Sequence, residues 1–235
     1  MQKLNQSYIK SLVKKALDED LKPRGDITTK LIKFKNKKVK AQIIAQQNGV
    51  ISGLDFCKAA FKLVGKETVF VSKVKDGSKI KKNKAIAEIK AKTKTILTAE
   101  RTALNFLNHA SGIATTTNDF VKKVDKKTKI CCTRKTTPNL RLLEKYAVKI
   151  GGGHNHRYNL SDEILIKENH INVEESLKNL VKKAIRTKKL VTVEIENIYQ
   201  LKEINGLKFK RILSVSYTHL RAHETGRNLV CRLLL

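Results

Sequence analysis

Four short stretches decide the fold: KICCTRKT (129–136), YAVKIGGGHNHR (146–157), ILIKENH (164–170) and LVTVEIEN (190–197). In each of them a short apolar run is followed at once by a polar cluster rich in ionisable side chains. Helical patterns over residues 140–145 and 173–186 lie between them. This repeated order of strand, polar cluster and helix predicts a parallel α/β barrel. The functional side chains of such barrels lie where the strands end, and the polar clusters fall at those positions.

The first hundred residues have a different pattern. Amphipathic helical spacing covers 4–17, and Leu54 to Val64 predicts a short helix. Residues 39–45 alternate as a half-buried strand does, Asn48-Gly49 predicts a hairpin turn, and further strands are expected over 69–89. The fold class is therefore α/β, with an α+β N-terminal domain (1–100) followed by an incomplete, irregular α/β barrel with parallel strands (101–213). A long helical pattern over 96–124 opens the barrel domain.

The chain is strongly basic. Its 235 residues include 50 Lys and Arg against 21 Asp and Glu, a formal net charge of +29. Nucleic-acid binding is one hypothesis for such a charge, and it predicts tight binding with a steep salt dependence. However, Trp is absent and only seven Phe and five Tyr could stack on bases. A solvated Lys-rich surface is the favoured interpretation, with no nucleic-acid partner. No run is long enough to span a bilayer, so no membrane is expected either.

The last residues differ from the rest. Residues 214–235 contain no Lys, and VSYTHLRAHET (215–225) resembles the translation of a sequencing adapter. We interpret 214–235 as a non-native tail that replaces the later barrel strands and their phosphate-binding loops. A chain of this kind is expected to be poorly soluble and inactive, because the edges of its sheet stay unpaired.

The polar clusters share a chemistry. They supply five basic or protonatable side chains, and two carboxylates follow the fourth apolar run: Arg134, Lys135, His156, Arg157 and Lys167, then Glu194 and Glu196. Several cations at one barrel mouth suit a substrate that carries carboxylates or phosphates. A zinc site at His154, His156 and His170 is disfavoured, because no Cys or carboxylate completes it. Cys131 and Cys132 are interpreted as buried strand residues, and the cysteine pattern favours a reducing, cytoplasmic setting.

Seven motifs, in order along the chain, resemble the signature of the quinolinate phosphoribosyltransferase family: ERTALN (100–105), SGIAT (111–115), TRKTTP (133–138), EKYAV (144–148), GGG (151–153), NHR (155–157) and LIKENH (165–170). The resemblance implies an enzyme of NAD biosynthesis. It would convert quinolinate and phosphoribosyl pyrophosphate to nicotinate mononucleotide, pyrophosphate and CO2, with Mg2+ accompanying the phosphoribosyl pyrophosphate. A homodimer or higher homo-oligomer is also implied. A paralogue of the same fold that handles a metal oxyanion stays an alternative.

The resemblance also implies roles for individual residues. Four of them would hold the carboxylates of quinolinate: Arg134, His156, Arg157 and Lys167. Lys135 and Glu194 would face the phosphoribosyl group and its metal, and Lys135, Lys167 and Glu194 are the expected catalytic residues. Arg101 would act in the site of the neighbouring subunit. No residue is expected to bind a resident metal.

Three positions depart from the family pattern. Cys132 stands where the family commonly has Asp, Asn139 where Gly usually follows the proline, and Thr192 where Glu is frequent. These departures concern the surroundings of the site and leave the resemblance intact.

Overall fold

The computed structural model describes residues 4–32, 37–174, 176–214 and 231–233. The chain forms two compact units. The first comprises the chain up to Lys122 together with Leu142–Gly153, and the second comprises Lys123–Arg141 and the chain from His154 onward.

The first unit contains most of the helical residues. Its elements are α1 (Gln6–Leu21), α2 (Ile27–Leu31), β1 (Lys38–Ile44), β2 (Gly49–Val50), α3 (Leu54–Val64), β3 (Val69–Ser72), β4 (Lys79–Ile80), β5 (Ala85–Lys92), α4 (Thr93–Lys123) and α5 (Arg141–Ile150). The boundary that the sequence predicts between residues 100 and 101 lies inside α4. The strand predicted over 39–45 and the helix predicted over 54–64 are confirmed.

The sheet of the first unit is antiparallel, in the order β1-β5-β3. One of its faces is apolar, and Ile43, Ile89 and Ala91 are buried there. The hairpin predicted at Asn48-Gly49 is wrong, because β1 pairs with β5 and β2 pairs with β4. Long-range contacts fix this segment instead. Asn48 Oδ1 accepts a hydrogen bond from the Lys82 amide at 2.9 Å, and a Cβ at Gly49 would lie 2.8 Å from Thr115 Oγ1.

Small residues let α4 pack closely in the first unit. Ala99, Ala103, Ala110 and Ala114 on this helix are fully buried. Nearby, α3 begins after Gly53, whose φ of 95° is left-handed.

The sequence-based interpretation of residues 146–150 as a strand is wrong, because they form the second half of α5. Leu143, Ala147 and Ile150 are buried on one face of this helix. Five mostly apolar residues before three glycines look like a short strand, but the helical spacing continues from the preceding turn.

The second unit is built from parallel strands and short helices. Its elements are β6 (Ile130–Cys132), β7 (His154–Asn155), β8 (Ile164–Ile166), α6 (Glu168–Ile171), α7 (Leu177–Arg186), β9 (Val191–Ile195), α8 (Ile198–Glu203), β10 (Arg211–Ser214) and β11 (Cys231–Leu233). Strands β8, β9 and β10 form one parallel sheet, and β6 pairs in parallel with β7. Val181 and Ala184 of α7 pack with Val193 and Ile195 of β9 in the core.

The predicted α/β architecture with parallel strands is confirmed. Within the described ranges the strands form separate sheets, and no sheet closes. Residues 215–230 and 234–235 of the predicted non-native tail lie outside the described residues, whereas β11 pairs antiparallel with β6. Of the helices that the structure describes, none combines the length and the apolar character that crossing a membrane requires.

Candidate active site

A cavity of about 270 Å³ lies in the second unit, at the carboxyl ends of its first strands. Five of the basic side chains that the sequence singles out line it, together with strand residues and one threonine: Arg134, Lys135, His156, Arg157 and Lys167, with Cys131, Cys132, Thr133, Leu165 and Leu213. Three separate strand ends therefore contribute cations to one hollow, as expected for a parallel α/β fold.

Strand β6 places the first two cations. Cys131 and Cys132 are buried, as predicted, and the chain turns immediately after them. Thr133 Oγ1 accepts a hydrogen bond from the Lys135 amide at 3.1 Å, which stabilises this turn. Cys132 stands where the family commonly has Asp, and its thiol donates to Asn155 Oδ1 at 3.1 Å. The thiol thus links the ends of β6 and β7.

Arg134 and Arg157 are close enough to affect each other electrostatically. Arg157 is only 8% exposed, and its pKa is lowered by burial first and by the charge of Arg134 second. The Nε of Arg134 is buried and has no hydrogen-bond partner within the described part of the chain. Two neighbouring guanidinium groups with an unused donor form a site that favours an anion, and a carboxylate matches their donor geometry.

Lys167 brings the third cation from the end of β8. Its Nζ lies 3.5 Å from Glu194 Oε2, and Glu194 is 7% exposed. The Lys167 amide donates to His170 Nδ1 at 3.0 Å, so His170 caps the short helix α6. Glu194 does not line the cavity itself; it contacts the cavity through Lys167.

Glu163 and Arg211 are functional candidates that the sequence reasoning missed. Both Nη atoms of Arg211 donate to the Glu163 carboxylate, at 2.7 and 3.3 Å. Glu163 Oε2 also lies 3.7 Å from His156 Nε2. The available signal was a charged residue directly before each of two apolar runs, 164–166 and 212–213.

Glu168 and Glu196 bring two interacting carboxylates together after the ends of β8 and β9. Glu196 has a raised pKa, because it shares a hydrogen bond with Glu168, is partly desolvated and faces the charges of Glu168 and Glu194. Across the described ranges, no group of three His, Cys, Asp or Glu side chains has a metal-binding arrangement. Mg2+ usually needs only one or two carboxylates when substrate phosphates supply further oxygens. The pair Glu168 and Glu196 fits that requirement better than Glu194, which pairs with Lys167.

Three other residues considered in the sequence lie elsewhere. Arg101 is exposed on α4 in the first unit. His109, also on α4, contacts Glu144 of α5 at 3.0 Å. His154 is exposed on β7.

The fold defines an α/β protein with parallel strands, and basic side chains line the cavity at the strand ends. Residues 26–111 match the quinolinate phosphoribosyl transferase N-terminal domain, and residues 113–213 match the C-terminal domain of the same family. The chain therefore belongs to the quinolinate phosphoribosyltransferase family.

Individual relatives agree with this assignment. A Bacillus subtilis protein named as a probable nicotinate-nucleotide pyrophosphorylase (carboxylating) is 39% identical over 204 residues, covering 85% of this chain and 70% of its own length. A Methanocaldococcus jannaschii protein of the same name is 42% identical over 203 residues, covering 83% and 69%. The crystal structure of NadC from Streptococcus pyogenes superposes with a TM-score of 0.85 at 38% identity, covering 90% of this chain and 76% of that chain.

Proposed function

We propose that this protein is a carboxylating nicotinate-nucleotide pyrophosphorylase. It transfers the phosphoribosyl group of phosphoribosyl pyrophosphate to quinolinate and releases pyrophosphate and CO2, which yields nicotinate mononucleotide for NAD biosynthesis. The observation that carries this proposal is the single cavity lined by Arg134, Arg157 and Lys167 in a chain of this family.

Quinolinate is a pyridine with two adjacent carboxylates. Arg134 and Arg157 offer paired guanidinium donors, and His156 and Lys167 line the same cavity. Four basic groups around one aromatic dianion neutralise both carboxylates and fix the orientation of the ring. The ring nitrogen is then held for attack on the sugar.

The transfer step needs stabilisation of opposite charges. The ring nitrogen forms a bond to C1 of the ribose while the bond from C1 to the pyrophosphate oxygen breaks, and the pyrophosphate leaves with the electron pair. Positive charge develops on the sugar and negative charge on the leaving group. In this proposal the Glu194 carboxylate stabilises the first and the exposed Lys135 stabilises the second. Lys167 connects the two halves of the site through its contact with Glu194.

Loss of CO2 follows from the chemistry of the new bond. The quaternised ring nitrogen stabilises the electron pair that remains on the adjacent ring carbon when its carboxylate departs, and a proton then completes that carbon. Mg2+ bound with phosphoribosyl pyrophosphate supplies charge neutralisation at the leaving pyrophosphate. Glu168 and Glu196 are the carboxylates that would hold it.

In this proposal a second copy of the chain contributes Arg101 to the active site. Arg101 projects from α4 with an exposed side chain, as a residue that serves a neighbouring subunit must. We place the enzyme in the cytoplasm as a homodimer or higher homo-oligomer. Mixing Arg101→Ala with Arg134→Ala subunits should restore part of the quinolinate binding that each variant lacks alone, because some mixed dimers carry one intact site.

Replacement of Arg134 tests the function directly. Arg134→Ala should abolish quinolinate binding measured by calorimetry, since it removes one of the paired guanidinium groups. Arg186→Ala is the matched control, because Arg186 is an exposed arginine at the end of α7 in the same unit. Unchanged quinolinate affinity in Arg134→Ala would refute the proposed function.

A further inference from the structure

The ion pair between Glu163 and Arg211 lies next to the substrate cavity but does not line it. Arg211 begins β10 and Glu163 directly precedes β8. Their side chains are 22% and 16% exposed, and Arg211 also lies 3.4 Å from Thr192 Oγ1 on β9. The pair thus joins three neighbouring strands, β8, β9 and β10. Two of these strands contribute a cavity-lining residue two positions further along: Leu165 follows Glu163, and Leu213 follows Arg211.

Glu163 contacts two of the residues proposed to bind quinolinate. Its carboxylate lies 3.7 Å from His156 Nε2, and its backbone carbonyl accepts a hydrogen bond from Arg157 Nη1 at 3.1 Å. The negative charge of the same carboxylate raises the pKa of Arg157, against burial and the charge of Arg134, which lower it. The Glu163 carboxylate is therefore within electrostatic reach of the guanidinium that the substrate needs.

A carboxylate in this position is a potential competitor of the substrate. Quinolinate offers carboxylates to Arg134 and Arg157, and a protein carboxylate beside Arg157 could make the same contact. In the structure the two hydrogen bonds from Arg211, one to each carboxylate oxygen, direct the Glu163 side chain toward Arg211. A bidentate Arg–carboxylate pair is the strongest side-chain arrangement available for this purpose.

We infer that Arg211 is a positioning residue: it holds the Glu163 carboxylate beside His156 and away from Arg157, so that the cavity stays open to a dianionic substrate. This inference rests on the proposed function, because it assumes that quinolinate binds in this cavity. It adds two residues, Glu163 and Arg211, that determine affinity for the pyridine diacid without touching it.

Substitutions at Arg211 and Glu163 test this inference, because quinolinate affinity should fall in the single variant and recover in the double variant. Arg211→Met releases Glu163 to pair with Arg157, so quinolinate affinity measured by calorimetry should fall about tenfold, the effect of one charge-assisted bond. Adding Glu163→Gln removes the released charge, and the double variant should bind within about threefold of wild type, well inside one such bond. A purely structural role predicts the reverse, with the double variant binding as weakly as Arg211→Met or more weakly.

Two further variants control for charge and folding. Lys183→Met also removes one positive charge and breaks an ion pair of the same unit, with Glu174 at 2.9 Å, and should leave affinity unchanged. Arg211→Lys keeps the charge but loses the bidentate geometry, so it should fall between wild type and Arg211→Met, and it replaces Arg211→Met if that variant does not fold. If the double variant binds no more tightly than its Arg211 parent, this inference is overturned while the proposed function stands. If wild type does not bind quinolinate, both fail.

Discussion

The Nζ of Lys167 lies 3.5 Å from Oε2 of Glu194, so the cation at the end of β8 and the carboxylate of β9 form one unit. Their exposures differ: the Lys167 side chain is 43% exposed, whereas that of Glu194 is 9% exposed. Lys167 can therefore turn toward a substrate, while Glu194 stays in place as its internal counter-charge.

Replacing Lys167 should weaken substrate binding and also lower stability. Lys167→Met removes a cation from the cavity and takes away the Lys167 counter-charge of Glu194, so quinolinate affinity should fall at least about tenfold, the effect of one charged hydrogen bond. Stability should also fall, by less than the roughly 3 kcal/mol of a fully buried pair, because Glu194 is 9% exposed but Lys167 is 43% exposed. Calorimetry and urea unfolding measure the two effects. Lys122→Met, which breaks an exposed pair with Asp119, is the control. A loss of stability without loss of affinity would contradict this assignment.

The sequence could predict the positions of these cations because strand ends are local features. Apolar runs such as Ile130–Cys132 and Ile164–Ile166 fix where each strand stops, and the residues that follow must emerge at the same edge. The ion pair of Glu163 with Arg211 could not be predicted in this way. Its partners are 48 positions apart, and only the closeness of β8, β9 and β10 brings them together.

Errors occurred where tertiary contacts overrode local patterns. Asn48-Gly49 has the composition of a hairpin turn, but Gly49 packs against Thr115 of α4, and no hairpin forms there. Residues 146–150 belong to the helix α5, and in this conformation Tyr146 Oη donates a hydrogen bond to Asp76. The expected roles of the site residues and the proposed domain boundary stay predictions.

Gly151 permits a close approach that no other residue would allow. A Cβ at this position would lie 2.4 Å from the backbone oxygen of Ala114 and 2.8 Å from Thr117 Cβ. Gly151→Ala should therefore destabilise the protein by about 2 kcal/mol, the cost of overpacking against backbone. Gly112→Ala is the matched control, because Gly112 lies within α4 and a Cβ there would have no atom within 4 Å.

The control substitution Gly112→Ala should change the free energy of unfolding in the opposite direction. Alanine is favoured over glycine by about 0.5–1 kcal/mol in a helix, so Gly112→Ala should raise the free energy of unfolding. Urea unfolding of both variants measures the pair. Equal effects of the two substitutions would show that contact with Ala114 does not constrain the turn.

Asn139 adopts a left-handed backbone conformation in the loop after Arg134. Its φ is 64°, in the left-handed region that glycine adopts freely and that asparagine tolerates better than other residues. Asn139→Gly should leave stability within about 0.5 kcal/mol of wild type, whereas Asn139→Val should cost about 1–2 kcal/mol. Thermal unfolding measures both variants. If Asn139→Val is as stable as Asn139→Gly, the backbone conformation assigned to this position is wrong.

The Asp76 carboxylate should make the stability of the first unit depend on pH. It accepts hydrogen bonds from the amides of Gly53 and Leu54, at 3.0 and 3.2 Å, and from Tyr146 Oη at 2.8 Å. Burial nevertheless raises its pKa, because desolvation outweighs these bonds. The folded protein therefore binds the Asp76 proton more tightly than the unfolded chain does. The stability owed to Asp76 is greatest below the unfolded pKa of about 3.9 and declines as pH rises through the higher folded value.

Comparison with a non-titrating variant isolates this dependence. The stability of wild type relative to Asp76→Asn should decrease as pH rises from 3.5 to about 6.5, a range that starts below the unfolded pKa. Asp125→Asn should show the opposite slope, because amide donors led by Thr128 lower the pKa of Asp125, and its contribution is lost as pH falls. Urea unfolding of the three proteins at several pH values measures both slopes. Slopes of the same sign would mean that burial does not dominate at Asp76, and that its hydrogen bonds with Gly53, Leu54 and Tyr146 keep the carboxylate ionised in the folded unit.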